Sequence, residues 1–159
     1  MSLVQQAVAE LNSAQEYFIR STRNLREEHS GLIPAPGMMT AAQQVAHAAQ
    51  TVEWFIAGAF DAGGFDLDFD AHAKVVQECA SLAEARAWLE RAIAEATATV
   101  GSKTDAELMA PLPAGPIMGG APRMAIFGAI TDHTAHHRGA LTVYARTKGI
   151  VPPMPYGDM

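Results

Sequence analysis

Apolar residues recur along this chain at three- and four-residue steps, the period of a helix with one buried face. Leu3, Val4, Ala7, Val8, Leu11, Ala14, Phe18 and Leu25 form the first such stripe and predict a helix over about residues 3–29. Gly31 and Pro34 end it, one through a permissive backbone and the other through its missing N–H. A second helix starts near Thr40, where Thr40 and Gln43 stand at capping-box spacing. Val45, Ala49, Val52 and Ile56 supply its buried stripe, and Gly63-Gly64 stops it. Residues 65–72, FDLDFDAH, alternate apolar and acidic positions and predict a short loop or strand-like excursion. A third helix opens on Ser81 and Glu84, again at capping-box spacing, carries Leu82, Leu89, Ile93, Ala96 and Val100, and closes at Gly101. Residues 102–122 hold four prolines and three glycines, which predicts a long loop without helix. Loops of that length in compact domains are often functional. A fourth helix runs from about Pro122 to Lys148, and the proline-rich tail from Val151 to Met159 runs extended. Four long helices without a strand predict an all-α four-helix bundle, one domain over residues 1–159.

Composition narrows the class of protein. The 159 residues are 49% hydrophobic and 18% charged, too apolar for disorder and long enough for one sizeable core. No apolar run approaches the ~20 residues of a membrane span. Residues 1–18 carry Glu10 and Glu16 and no basic start, which disfavours a secretory signal. The net charge of −6 repels phosphate backbones, so nucleic acid is an unfavourable partner. A single cysteine, Cys79, excludes an internal disulfide and fits a cytoplasmic location.

The chemistry lies in the histidines of the segment DHTAHHRG, residues 132–139. His133 and His137 stand four apart on the last helix, so their side chains project from one face about 40° apart. That is the spacing with which a helix offers two imidazoles to one metal, and also one that two ordinary histidines can have. A third histidine, His47, lies inside the second helix and converges on the pair if those two helices are neighbours. No Glu stands three residues before a His, HExxH is absent, and there is no Cys pair. A three-His set with an open position matches a catalytic rather than a structural site, and suits Zn²⁺ or Ni²⁺.

The segment DHTAHHRGALTVYARTKGIVPPMPYG resembles the C-terminal signature of the DinB-like superfamily of metal-associated helical bundles. In that signature H-x-x-x-H-R-G-Q is followed by V-P-P and Y-G. Gln44-Val45-Ala46-His47 is similar to the family's other ligand position, and Gly120-Ala121-Pro122-Arg123 to its final loop. The resemblance spans about His47 to Gly157 and departs at Ala140, where glutamine is common. It implies an up-down-down-up bundle, often a homodimer, with metal ligands at His47, His133 and His137. It further implies a thiol-dependent S-transferase or isomerase acting on a small electrophile with a low-molecular-weight thiol. A metal-dependent hydrolase and a non-catalytic metal- or small-molecule-binding stress protein are the alternatives.

Other side chains have expected places around such a site. Arg138 is a candidate for a cofactor or substrate carboxylate, with a structural ion pair as its other reading. Tyr144, seven residues beyond His137 and on the same stripe, is a candidate pocket residue, with core packing as the alternative. Asp132 and Glu53 are candidates to orient an imidazole, but each is offset from its nearest histidine on the helix, which favours a solvated face; His72, in the irregular segment, is a candidate to approach the site. Met38, Met39, Met109, Met118, Met124 and Met154 cluster in or near loops and suit an adaptable apolar pocket, with simple gap-filling as the alternative; the electrophile is expected between the bundle end and the 102–122 loop. His29 and His136 are expected at the surface, Gly139 at a close helix contact, and Cys79 as an inert thiol.

Overall fold

The computed structural model describes residues 1–157. Six helices follow in order: α1 (Leu3–Thr22), α2 (Ala41–Phe60), α3 (Phe69–Glu78), α4 (Leu82–Gly101), α5 (Asp105–Met109) and α6 (Ala125–Thr147). Polar side chains start most of them. Ser2, Thr40, Asp68, Ser81 and Thr104 each accept the N–H three residues on. At Ser2, Thr40 and Thr104 the third residue's side chain returns the bond to the cap N–H, a complete capping box.

Hydrogen bonds between elements fix the topology. The N–H of Ala42 and the N–H of Leu82 both meet Ser30, at its carbonyl and its hydroxyl, so α2 and α4 start together and run parallel. Gln44 meets Tyr144 while His47 meets His133, so α2 and α6 are antiparallel. Arg86 reaches Thr22 and Leu25 while Asp105 meets Val4, so α1 and α4 are antiparallel. Tyr17 lies beside Arg138 and Asn24 bonds Val151, so α1 and α6 are parallel. The four long helices therefore run up, down, down, up, with α1 and α2 each packed on both α4 and α6. Parallel neighbours require a return of about 30 Å along the 20-residue α2. The segment carrying α3 makes that return and packs on α2.

Three predicted boundaries are corrected. The first helix ends at Thr22, not near residue 29. To continue, Arg26 N–H would bond the Thr22 carbonyl. That carbonyl instead accepts Arg86 from α4 at 2.8 Å, and Arg26 N–H goes to His29 Nδ1 at 2.9 Å. The chain then forms a 3-10 turn at Glu27–His29. Residues 69–78 are helical rather than strand-like: Asp68 caps them, and of their side chains only Val76 is buried, too little for a legible stripe. The 102–122 segment contains α5, held by the Thr104–Glu107 box and the buried Leu108, before the first proline stops it. The remainder is a loop closed by a single bridge between Pro111 and Pro122.

The core is built largely of small residues. Ala46, Ala49 and Ala59 of α2 and Ala85, Ala92 and Ala96 of α4 are fully buried, which brings these two helices close. No helix among the described residues is long and apolar enough to cross a membrane.

Candidate metal centre

His47, His133 and His137 converge. One ring nitrogen of each lies within 4.8 Å of those of the other two, and His133 Nε2 is 3.2 Å from His137 Nε2. Helix α6 places His133 and His137 together by their four-residue spacing, and the antiparallel contact of α2 with α6 brings His47 to face them. A tetrahedral ion with metal–nitrogen bonds of about 2.0–2.1 Å separates its ligand nitrogens by about 3.3 Å.

Hydrogen bonding decides which nitrogen of His137 carries the proton. Tyr144 Oη donates to the main-chain carbonyl of Met39 at 2.8 Å, and a carbonyl can only accept. Tyr144 must therefore accept from Gln44 Nε2, at 3.1 Å, which turns Gln44 Oε1 toward His137 Nδ1. Nδ1 donates to it in a short bond, and the Nε2 lone pair is left facing His133. This is the arrangement that prepares an imidazole for a metal, its far N–H fixed by a neighbouring acceptor. The relay is buried: Tyr144 is 1% exposed, His137 7% and Gln44 8%.

His133 sharpens the point. Its Nδ1 is buried without a hydrogen-bond partner among the described residues. If Nδ1 carries the proton, a buried donor is unmet and two lone pairs oppose each other at 3.2 Å. If Nε2 carries it, a buried acceptor is unmet. A cation between the Nε2 atoms removes the opposition in the first case, so the residues present fit a divalent ion. Burial pushes the His137 imidazole down to about 3 and the His133 imidazole down to about 4, and the neighbouring imidazoles act in the same direction. His47 is lowered by burial and by His136. The cluster is thus neutral at neutral pH, the form in which imidazole binds metal.

A cavity of about 580 Å³ opens on the cluster at His47 and His133. The family model of the DinB superfamily matches residues 6–141. The chain belongs to the DinB superfamily. Its fold is similar to that of a DinB-like protein from Bacillus subtilis, with a TM-score of 0.60, 17% identity and 99% of each chain covered. Comparison with curated proteins gives no match.

In this DinB-superfamily chain the cavity is not where the sequence put it. Its walls come from α2, α3 and residues 37–39, and no residue of 102–122 lines it. That loop closes the bundle end, where Asp105 meets Val4. Met38 and Met39 line the cavity, and Met109, Met118, Met124 and Met154 do not. Tyr144 is held behind His137 by Met39 and Gln44 rather than in the cavity wall. Arg138 lies on the α1 side of α6, its guanidinium 5.8 Å from the Tyr17 ring and 5.9 Å from the Tyr156 ring, away from the histidines. Glu53 accepts from Trp88 Nε1 at 2.7 Å, burial raises its carboxyl, and it bonds no imidazole. Asp132 is exposed, and the imidazole is oriented by Gln44 instead. Gln44 was findable: an amide inside an apolar stripe, three residues before His47, is a buried polar group in need of a partner. His72 does reach the site, lining the cavity with Nε2 3.4 Å from Asp66 Oδ2. His136 is exposed as expected, whereas His29 is half-buried. Gly139 faces open space rather than a helix contact, and burial pushes the Cys79 thiol up, consistent with an inert residue.

Proposed function

We propose that this chain is a metal-dependent catalyst that holds one divalent ion, Zn²⁺ or Ni²⁺, on His47, His133 and His137. It acts on a small electrophile in the adjoining cavity, with a low-molecular-weight thiol as the nucleophile. The observation that carries the reading is the His137 Nε2 lone pair, fixed by the Gln44–Tyr144 relay and aimed at a second imidazole nitrogen 3.2 Å away. A divalent ion bound there lowers the pKa of a thiol or water that joins it. The residues of the chain divide the remaining work. Gln44 holds His137 in one tautomer. His47 and His133 form the part of the cluster that faces the cavity. His72, on the cavity wall with Asp66 Oδ2 3.4 Å from its Nε2, is the group positioned to take or return a proton. Trp54, Phe55 and Phe69 give the cavity its aromatic surface.

Metal analysis of untagged protein beside the His47→Ala variant tests the ion. One zinc or nickel per chain, lost in the variant, is expected. No metal in the wild type, with none taken up from added Zn²⁺ or Ni²⁺, refutes the reading. The Co²⁺ form tests the nucleophile: a thiolate charge-transfer band should appear on adding a thiol. Ester turnover without thiol, in protein that shows no such band, assigns the site to hydrolysis instead.

A further inference from the structure

The wall of the cavity beside the histidines has its own chemistry. One face of α2 builds it, because His47, Gln50, Thr51 and Trp54 stand at i, i+3, i+4 and i+7. Phe69 and Val76 of α3 and the two methionines of the 37–39 segment close the far side. Among the described lining residues there is no Lys, Arg, Asp or Glu. A charge carried between these walls would lose its water and find no counter-charge. Ring-bearing apolar surface would gain against Trp54, Phe55 and Phe69 and against the flexible thioethers of Met38 and Met39.

Apart from the His72 imidazole, which has Asp66 3.4 Å from its Nε2, the polar atoms left to a ligand belong to neutral amides and hydroxyls. Gln43 Nε2 is committed to the Gln77 carbonyl at 3.0 Å. The Gln50 amide and the Thr51 hydroxyl have no side-chain hydrogen bond within the protein among the described residues, and both line the cavity. Both stand within four residues of His47 on the same helix face. The volume, about 580 Å³, lies in the range of small-molecule sites.

We infer that this cavity takes the uncharged, ring-bearing body of a small ligand, oriented by neutral hydrogen bonds to Gln50 and Thr51. The inference rests on the metal reading for which end of the ligand reacts, and on the wall alone for what the ligand is. It places charged portions of a thiol, such as the carboxylates of glutathione, outside the walls.

Calorimetric titration with three probes of equal ring size tests this: 1-naphthol, 1-naphthoate and 1-naphthylmethylammonium. The protein is treated with EDTA, so that no ion can attract the carboxylate. Naphthol is expected to bind at least about tenfold more tightly than either ion. Ala73→Trp, which fills the cavity from α3, should weaken naphthol by about tenfold or more with an unchanged helical spectrum. Thr51→Val should weaken naphthol but not naphthalene. Equal or tighter binding of either ion overturns the inference, as does binding of none of the probes. Binding that neither substitution affects overturns it too, since the probe then sits elsewhere. Zinc stoichiometry is measured separately on the same preparation. Discrimination among the probes in a chain that takes up no zinc upholds the ligand class and removes the metal reading, so the two fail independently.

Discussion

Replacing Gln44 by leucine keeps the volume of the side chain and removes both of its hydrogen bonds, to Tyr144 Oη and to His137 Nδ1. Each bond contributes about 0.5–1.5 kcal/mol net, and a buried imidazole N–H left unmet costs about 1–3 kcal/mol. Tyr144 keeps its bond to the Met39 carbonyl and adds little to the loss. The metal-free variant should therefore be less stable by about 2–4 kcal/mol, a fall of about 1–2 M in urea midpoint. With its far nitrogen unheld, His137 no longer presents one tautomer, and zinc affinity should fall by about 10–100-fold. Competition against a chromophoric chelator reads the affinity, and urea unfolding in EDTA reads the stability. Gln44→Glu separates the two effects. Its carboxylate still accepts from Nδ1 and makes the imidazole more basic, so zinc affinity should equal or exceed the wild type. It loses the donor to Tyr144, so part of the stability loss should remain. Zinc affinity in Gln44→Leu within about twofold of the wild type would refute the claim that the relay orients His137.

Three further outcomes are expected. The lowered imidazoles mean that the folded, metal-free chain binds fewer protons than the unfolded one below about pH 6.5. Its stability should thus be full above that pH and decline as pH falls toward the folded values of about 4 and 3. A urea midpoint that stays constant from about pH 7.5 to 5.5 in EDTA contradicts this, since ordinary carboxylates titrate lower. Gly58→Ala would put a Cβ 2.1 Å from Phe65 Cδ1, and Phe65 in turn packs on Trp54 at 4.9 Å. Overpacking of about 1–3 kcal/mol should outweigh or cancel the ~1 kcal/mol helix gain, and Trp54 fluorescence should shift; a clearly stabilised variant with unchanged emission would show that Phe65 swings aside freely. Ser30→Ala removes the hydroxyl that accepts the buried Leu82 N–H at 2.9 Å, so about 1–3 kcal/mol should be lost. The Leu82 amide should exchange faster, and unchanged protection there would deny Ser30 its role in joining α2 to α4.

Features that act within one turn of helix were legible in the sequence. Thr40 with Gln43 marked the start of α2, Ser81 with Glu84 that of α4, and the four-residue step put His133 and His137 on one face. Sidedness around a helix was not legible. Arg138 follows His137 by one residue, and the 100° this turns carries it to the tyrosines beside α1. Tyr144 shares the stripe of His137, yet the Met39 carbonyl from another segment claims its hydroxyl. The end of α1 depended on Arg86, more than sixty residues away, and the cavity wall on α3, whose helix has a single buried side chain. By itself the sequence determined the four long helices and the shared face of His133 and His137, because backbone geometry sets those spacings locally. Only the tertiary structure decided that His47 meets the pair, that Gln44 fixes the tautomer and that an uncharged wall stands beside them. Those depend on which faces of α2, α3 and α6 are packed together, and that is settled by burial over the whole bundle.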